Sequence, residues 1–215
     1  MLIAMDRDPG QVTLCNIYKH EQWSTVVALY NSNCAHVPVE KGVYFVVVPK
    51  DFEVQFSAKT AAIEEHGGHL LLYPAEELAR RFQASDKKIL YIGKASGENN
   101  RLRQRLSQLV RYAYGEGHNH LGGRALWQIC NAHQLLIGYL SCEQSQQVEA
   151  NLLHEYVNRF GILPVANWQL PNINRLNTAS YGIGPASRSV SAKTEDSACN
   201  KSRKGGRPKG GSAAR

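Results

Sequence analysis

Residues 88–111, KILYIGKASGENNRLRQRLSQLVR, constrain the fold more than any other stretch of this 215-residue chain. The run Ile89-Leu90-Tyr91-Ile92 is apolar and short enough for a strand. Gly93 breaks it, and a loop of Gly, Ser, Glu and Asn follows. Leu102, Leu106, Leu109 and Val110 then recur at helical spacing, so they share one face. Arg101 and Arg105 are four apart and lie together on a neighbouring face. A strand and helix that bring a Tyr, a Lys and an Arg pair together suit an anionic ligand, above all phosphate. Taken alone, the stretch describes equally well a plain strand-loop-helix with a solvated basic face.

A second stretch shifts that balance. Gly42-Val43-Tyr44 opens another apolar run, GVYFVVV, and Tyr91-Ile92-Gly93-Lys94 closes the strand just described. Arg105 is followed by Leu106. Further on, VEANLLHEYVNRFGILPVAN contains Glu149, the apolar pair Leu152-Leu153, Pro164 and Asn167. Five such motifs in this order resemble the signature of the GIY-YIG nuclease superfamily, with Val43 in the place of Ile, over roughly residues 41–167.

The resemblance implies an α/β fold with a small central mixed sheet flanked by helices. It also implies a metal-dependent endonuclease that hydrolyses phosphodiester bonds of DNA. The residues it nominates are Tyr44, Tyr91, Lys94, Arg105, Glu149 and Asn167, with Glu149 as the ligand of Mg²⁺ or Mn²⁺. A phenol near its ordinary pKa of ~10 is a poor base at neutral pH, so the expectation is that a metal or a nearby cation such as Lys94 or Arg105 lowers it. Arg105 would hold the scissile phosphate. In typical members of the family the two Tyr strands are joined by a short turn; here 50–87 is a long insertion, which puts direct pairing of the strands in question. The alternative reading keeps the fold without cleavage, as a DNA- or RNA-binding module.

Two acids on the same predicted helix compete for the metal. At ~100° per residue, Leu153, Tyr156, Val157 and Phe160 fall within about a quarter turn of Glu149, so Glu149 lies inside the apolar stripe. Glu155 falls about 120° away, on the polar side. A carboxylate in an apolar stripe is costly unless paired or bound to a cation, which favours Glu149 as a ligand for a hard ion. The rival account of Glu149 is a salt bridge to Arg105. Glu155 stays the alternative ligand, because its 12-residue distance to Asn167 is the commoner one in the family.

Charge points to the same partner. The net charge is +7, and residues 171–215, with nine Lys or Arg against two acids, account for all of it. Within the balanced remainder, residues 80–124 carry ten basic side chains against Asp86, Glu98 and Glu116. Both regions suit a polyanion, with Arg101, Arg103 and Arg111 on the helix and Lys204, Arg207 and Lys209 in the tail as contacts to DNA. Gly206-Arg207-Pro208-Lys209 resembles part of an AT-hook, with Gly205 where the fuller hook has Arg; a generic basic tail is the other reading. His118 and His120 fit a turn or a substrate-touching loop better than a metal site.

No apolar run approaches the ~18 residues of a membrane span, and MLIAMDRDPG lacks the apolar centre of a secretory signal. Five Cys without a CxxC pair fit a reducing cytoplasm. The expected organisation is an extension over 1–41, a nuclease-like domain over 42–170 with its insertion, and a disordered basic tail over 171–215; oligomeric state is left open. In the extension, VTLCNIY reads as a strand and STVVALY leans to helix. In the insertion, SAKTAAIEEH reads as helix, HLLLY as strand, and a helix starts at Pro74. GRALWQICNAH reads as helix, LLIGYLS as a buried strand, and SQQVEANLLHEYVNRF as a helix closed by Gly161.

Overall fold

A computed structural model describes residues 12–173, apart from 61, 63, 67, 100 and 117–120. The tail with Lys204, Arg207 and Lys209, and the pair His118 and His120, lie outside the described residues. Those that are described belong to one unit spanning Met1–Gly182.

The fold is mixed α/β, built on a four-stranded sheet. Its strands are β1 (Ser24–Thr25), β2 (Gly42–Val47), β5 (Ile89–Ala95) and β6 (Leu136–Ser141), in the order β1-β6-β2-β5. A separate short hairpin pairs β3 (Glu65–His66) with β4 (His69–Leu70). The helices are α1 (Leu14–Tyr18), α2 (Val26–Asn31), α3 (Ala75–Ala84), α4 (Leu102–Ala113) and α5 (Ser145–Phe160).

Every pairing in the large sheet is antiparallel, which corrects the expectation of a mixed sheet. The reason lies in how the insertion leaves and rejoins it. Val48 N–H donates to Lys88 C=O at 2.9 Å, just beyond the Val47–Ile89 pair. Residues 50–87 therefore hang from the mouth of a β-hairpin, and the two Tyr-bearing strands pair directly despite them. Lengthening a loop whose ends are already held together adds little closure entropy.

A bulge between Val46 and Val47 shifts the register of β2 against β5. It leaves Ile89 on one face with Val47, and turns Tyr91 to the other with Val46 and Tyr44. The first face, with Val43, Phe45 and Ile92, is covered by α5 and α1. The second is covered by α4, α2 and α3. β2 is central and buried along its whole length, as its unbroken apolar run requires.

The helices read as amphipathic form as expected. α5 stops where Gly161 takes a left-handed φ of 74° and its N–H donates to Val157 C=O at 2.7 Å. Three local readings are overturned. VTLCNIY forms α1 instead of a strand, because Asn16 Oδ1 accepts from Thr13 N–H at 2.8 Å and Glu155 Oε2 from Leu14 N–H at 2.9 Å. Tertiary bonds to the first turn outweigh β-branched propensity there. SAKTAAIEEH contains no helix among its described residues: the Ser57 and Thr60 hydroxyls accept from Lys59 N–H and Ala62 N–H and divert the backbone. GRALWQICNAH becomes two 3-10 turns, Leu121–Gln128 and Ala132–Gln134, separated by Asn131 at a φ of 59°. The segment before β2 is not a separate appendage. Leu14 and Ile17 join one core, Val26, Leu29, Cys34 and Val37 the other, and β1 extends the sheet.

Candidate active site

The register of β2 on β5 places Tyr44 opposite Gly93. A Cβ on Gly93 would stand 2.6 Å from Tyr44 Cζ and Oη and 2.7 Å from Tyr91 Cε1, so the glycine makes room for the tyrosine pair. The two rings lie 6.0 Å apart at 45°. Tyr44 is hydrogen-bonded to the Tyr91 hydroxyl and to Arg105, whose guanidinium can only donate. Gly42 has the matching task on α4, where a Cβ would meet Leu140 O at 2.3 Å and Leu102 Cδ1 at 2.6 Å.

Burial dominates the acidity of both phenols. It raises Tyr44 well above the ordinary tyrosine range, and Tyr91's charge adds to that while Arg105 opposes it. Tyr91 is pushed up to about 12, first by burial and then by the Glu149 charge, against Tyr44 and Arg105. The expectation that a neighbouring cation lowers these phenols is thus corrected: the desolvation penalty exceeds what Arg105 returns. Both are neutral at neutral pH.

Lys94 faces the other side of the sheet, opposite Val43, and there Lys94 Nζ pairs with Glu149 Oε2. The side chains are 31% and 11% exposed, so the carboxylate is the more deeply set partner. Burial raises the Glu149 pKa, while Lys94 and Arg105 pull it back. Glu149 does lie inside the apolar stripe, and its direct salt bridge is to Lys94; Arg105 acts on it through charge. Ser145 Oγ donates to Ala95 C=O at 3.1 Å and fixes the start of α5 against the end of β5. Glu155 points elsewhere, to the Leu14 N–H of α1.

Asn167 comes to the same strand in another capacity. Its Oδ1 accepts from Ile92 N–H at 2.9 Å and its Nδ2 donates to Ile92 C=O at 2.8 Å, while Ala166 N–H donates to Leu90 C=O at 2.9 Å. These bonds occupy the outer edge of β5 in place of a fifth strand. Asn167 thus positions Tyr91-Ile92-Gly93 through both ends of its amide. Arg101 Nε donates to Glu98 C=O, Arg103 Nε to Val37 C=O, and Arg111 Nη2 to Asn33 Oδ1, all on α4 or at its start.

Sequence reasoning missed the supports. Arg81 Nη2 donates to the Asn167 carbonyl at 2.7 Å, and its guanidinium lies 4.2 Å over Trp168. Trp168 stacks on Tyr73 at 4.0 Å, with Arg124 on Tyr73's far side at 4.6 Å. The Gln128 amide bonds Tyr73 N–H, Tyr73 C=O and Ser57 C=O at 2.8–3.0 Å. The insertion thereby braces the segments next to the tyrosines. Gly122, in the first 3-10 turn, is close enough that its Cβ would lie 3.1 Å from Tyr91 Oη. Nothing in the periodicity of one sequence pairs Arg81 with Trp168; the only local signal is a Trp directly after Asn167.

Among the described residues no three His, Cys, Asp or Glu side chains converge as a metal-binding cluster. Glu149 is paired with Lys94 and reaches Tyr91 and Arg105 through its charge. One carboxylate suffices for Mg²⁺ or Mn²⁺ where substrate phosphate and water complete the shell, so the donor set fits an ion shared with a substrate. Compared with protein-family profiles, with curated proteins and with solved structures, the chain matches none.

Proposed function

We propose that this chain is a metal-dependent endonuclease of the GIY-YIG type that hydrolyses DNA phosphodiester bonds. The observation that carries the reading is the pairing of the two motif strands in a register that seats Tyr44 over Gly93, bonds it to Tyr91 and Arg105, and brings Glu149 to the same strand. Arg105 supplies a cation for the scissile phosphate and for the charge that grows on it. Tyr44 and Tyr91 share one hydrogen bond, which leaves a phenolic proton of the pair to orient a water or a phosphate oxygen. Glu149, held by Lys94, is the group that would bind Mg²⁺ or Mn²⁺. When bound, such an ion offers Lewis acidity to the leaving oxygen.

A second reading has an observation of its own. The Glu149–Lys94 pair already satisfies the carboxylate, as a DNA- or RNA-binding module without chemistry would require. Incubation of the full chain with supercoiled plasmid and Mg²⁺ or Mn²⁺, with and without EDTA, separates the two. Metal-dependent nicking is the expected result; a gel shift without nicking gives the site to the binding module.

A further inference from the structure

We propose that the outer face of α4 and the turn after α2 form a groove that holds the backbone of a DNA strand, an inference that rests on the nucleic-acid part of the reading above. The groove has a volume of about 480 Å³. Arg103, Gln104, Ser107, Gln108 and Arg111 form one wall, Asn33 stands opposite, and Glu116 closes one end. Among the described residues its lining is polar or charged, with the aliphatic stems of those side chains forming part of the surface.

The segment before β2, to which the sequence assigned no chemistry, builds this site. Pro38 and Glu40 carbonyls accept the first N–H groups of α4, from Arg103 at 3.2 Å and Leu102 at 2.8 Å. The Val37 carbonyl takes Arg103 Nε at 2.7 Å, and Asn33 Oδ1 takes Arg111 Nη2 at 3.3 Å. Asn33 does so from a left-handed φ of 47°, a conformation asparagine tolerates better than most residues. Each arginine is thus held by one acceptor through one of its N–H groups and keeps other N–H groups for a ligand, which reduces the ordering cost of binding. The one acid, Glu116, is engaged by the Tyr30 hydroxyl.

Spacing favours a polymer over a small anion. Arg103 and Arg111 are eight residues apart, about 12 Å along the helix axis. That is the axial reach of three to four nucleotides of one strand at about 3.4 Å each. Gln108, in the wall, accepts from Arg105 Nη1 at 3.2 Å, so a strand in the groove runs directly to the arginine of the candidate site.

Ser107→Glu tests the groove with the full-length protein. A carboxylate at 107 sits four residues from both Arg103 and Arg111 and pairs with them in helical register, which neutralises the groove while supporting the helix. Binding of a fluorescein-labelled DNA duplex is read by anisotropy in EDTA across a salt series. The expected result is a loss of about tenfold or more near 0.1 M salt, with the log-log salt slope smaller by about two. Gln146→Glu, exposed on α5, adds the same charge elsewhere and is expected to stay within about twofold of wild type. Gln104→Glu, at an exposed place in the same wall, carries the test should Ser107→Glu lower the melting temperature.

Equal affinities for the groove and α5 variants overturn the proposal, as does displacement of DNA by poly-glutamate at matched charge, which assigns the groove to an acidic polypeptide. A protein that binds as expected but nicks no plasmid with Mn²⁺ overturns the nuclease reading and leaves the groove standing. Nicking with unchanged binding by Ser107→Glu does the reverse.

Discussion

Helices α4 and α5 pack against opposite faces of the same strand pair and carry charge in opposite ways. α4 buries Leu102, Leu106, Leu109 and Val110 and turns its arginines outward or to the rim of the tyrosine pair. α5 buries Glu149 among Val148, Leu152, Leu153 and Tyr156. The first is an ordinary amphipathic helix with its arginines on the polar side. The second breaks its own pattern at one residue and compensates with Lys94 from β5. Violations of that kind concentrate at functional sites, because packing alone does not favour them. In the proposed reading, charge on the outside of α4 serves binding and charge inside α5 serves chemistry.

The sharpest way to break the α4 face is Gly93→Ala. The added Cβ collides with both tyrosines, and the expected loss is about 3 kcal/mol of stability, measured by urea denaturation. A loss under about 0.5 kcal/mol, the range of an ordinary surface change, contradicts the seating of Tyr44 over Gly93. Asn167→Ala comes next. It leaves the Ile92 N–H and C=O buried without partners, which costs about 2 kcal/mol and accelerates amide exchange at Ile92 in particular. Protection at Ile92 equal to wild type would contradict this positioning role.

The α5 face makes a pH prediction with a definite sign. Burial raises the Glu149 pKa in the folded chain, so its contribution is fully present below the unfolded carboxyl value near ~4.3 and is lost as pH rises through the folded value. In EDTA, wild type is therefore expected to lose stability relative to Glu149→Gln from about pH 4.3 upward. A widening advantage for wild type over that range reverses the sign and removes the burial argument. The smallest effect belongs to Glu155→Gln. The glutamine oxygen still accepts from Leu14 N–H, and only the charge beside the first turn of α1 is lost, about 0.5 kcal/mol.

Much of this architecture was legible from pattern. The apolar run at 42–47, the periodicity of α4 and α5, and the Gly161 stop each depend on neighbours in sequence, which is where period and propensity act. The position of Glu149 in the stripe followed from the wheel alone. What escaped the sequence depends on long-range contacts. Helix α1 is capped by Glu155, 141 residues away. The bulge that turns Tyr91 towards Tyr44 adds one residue to an unbroken apolar run, where alternation gives no mark of it. The rival account of Glu149 named Arg105 as its salt-bridge partner, since the face of β5 that meets α5 is not visible in one sequence; register places Lys94 there. Phenol acidity went wrong for a related reason, since nearby cations are visible in sequence and the extent of burial is not.

The most direct test of the central claim sets Glu149→Gln beside Glu155→Gln in a plasmid-nicking assay with Mn²⁺, with Arg105→Ala for comparison. The account predicts that Glu149→Gln loses cleavage by orders of magnitude while it folds as well as wild type and binds DNA at least as tightly, because one negative charge near phosphate is gone. Arg105→Ala loses cleavage and binding together, and Glu155→Gln keeps both. Cleavage that survives in Glu149→Gln and disappears in Glu155→Gln contradicts the account and moves the reacting carboxylate to the other side of α5.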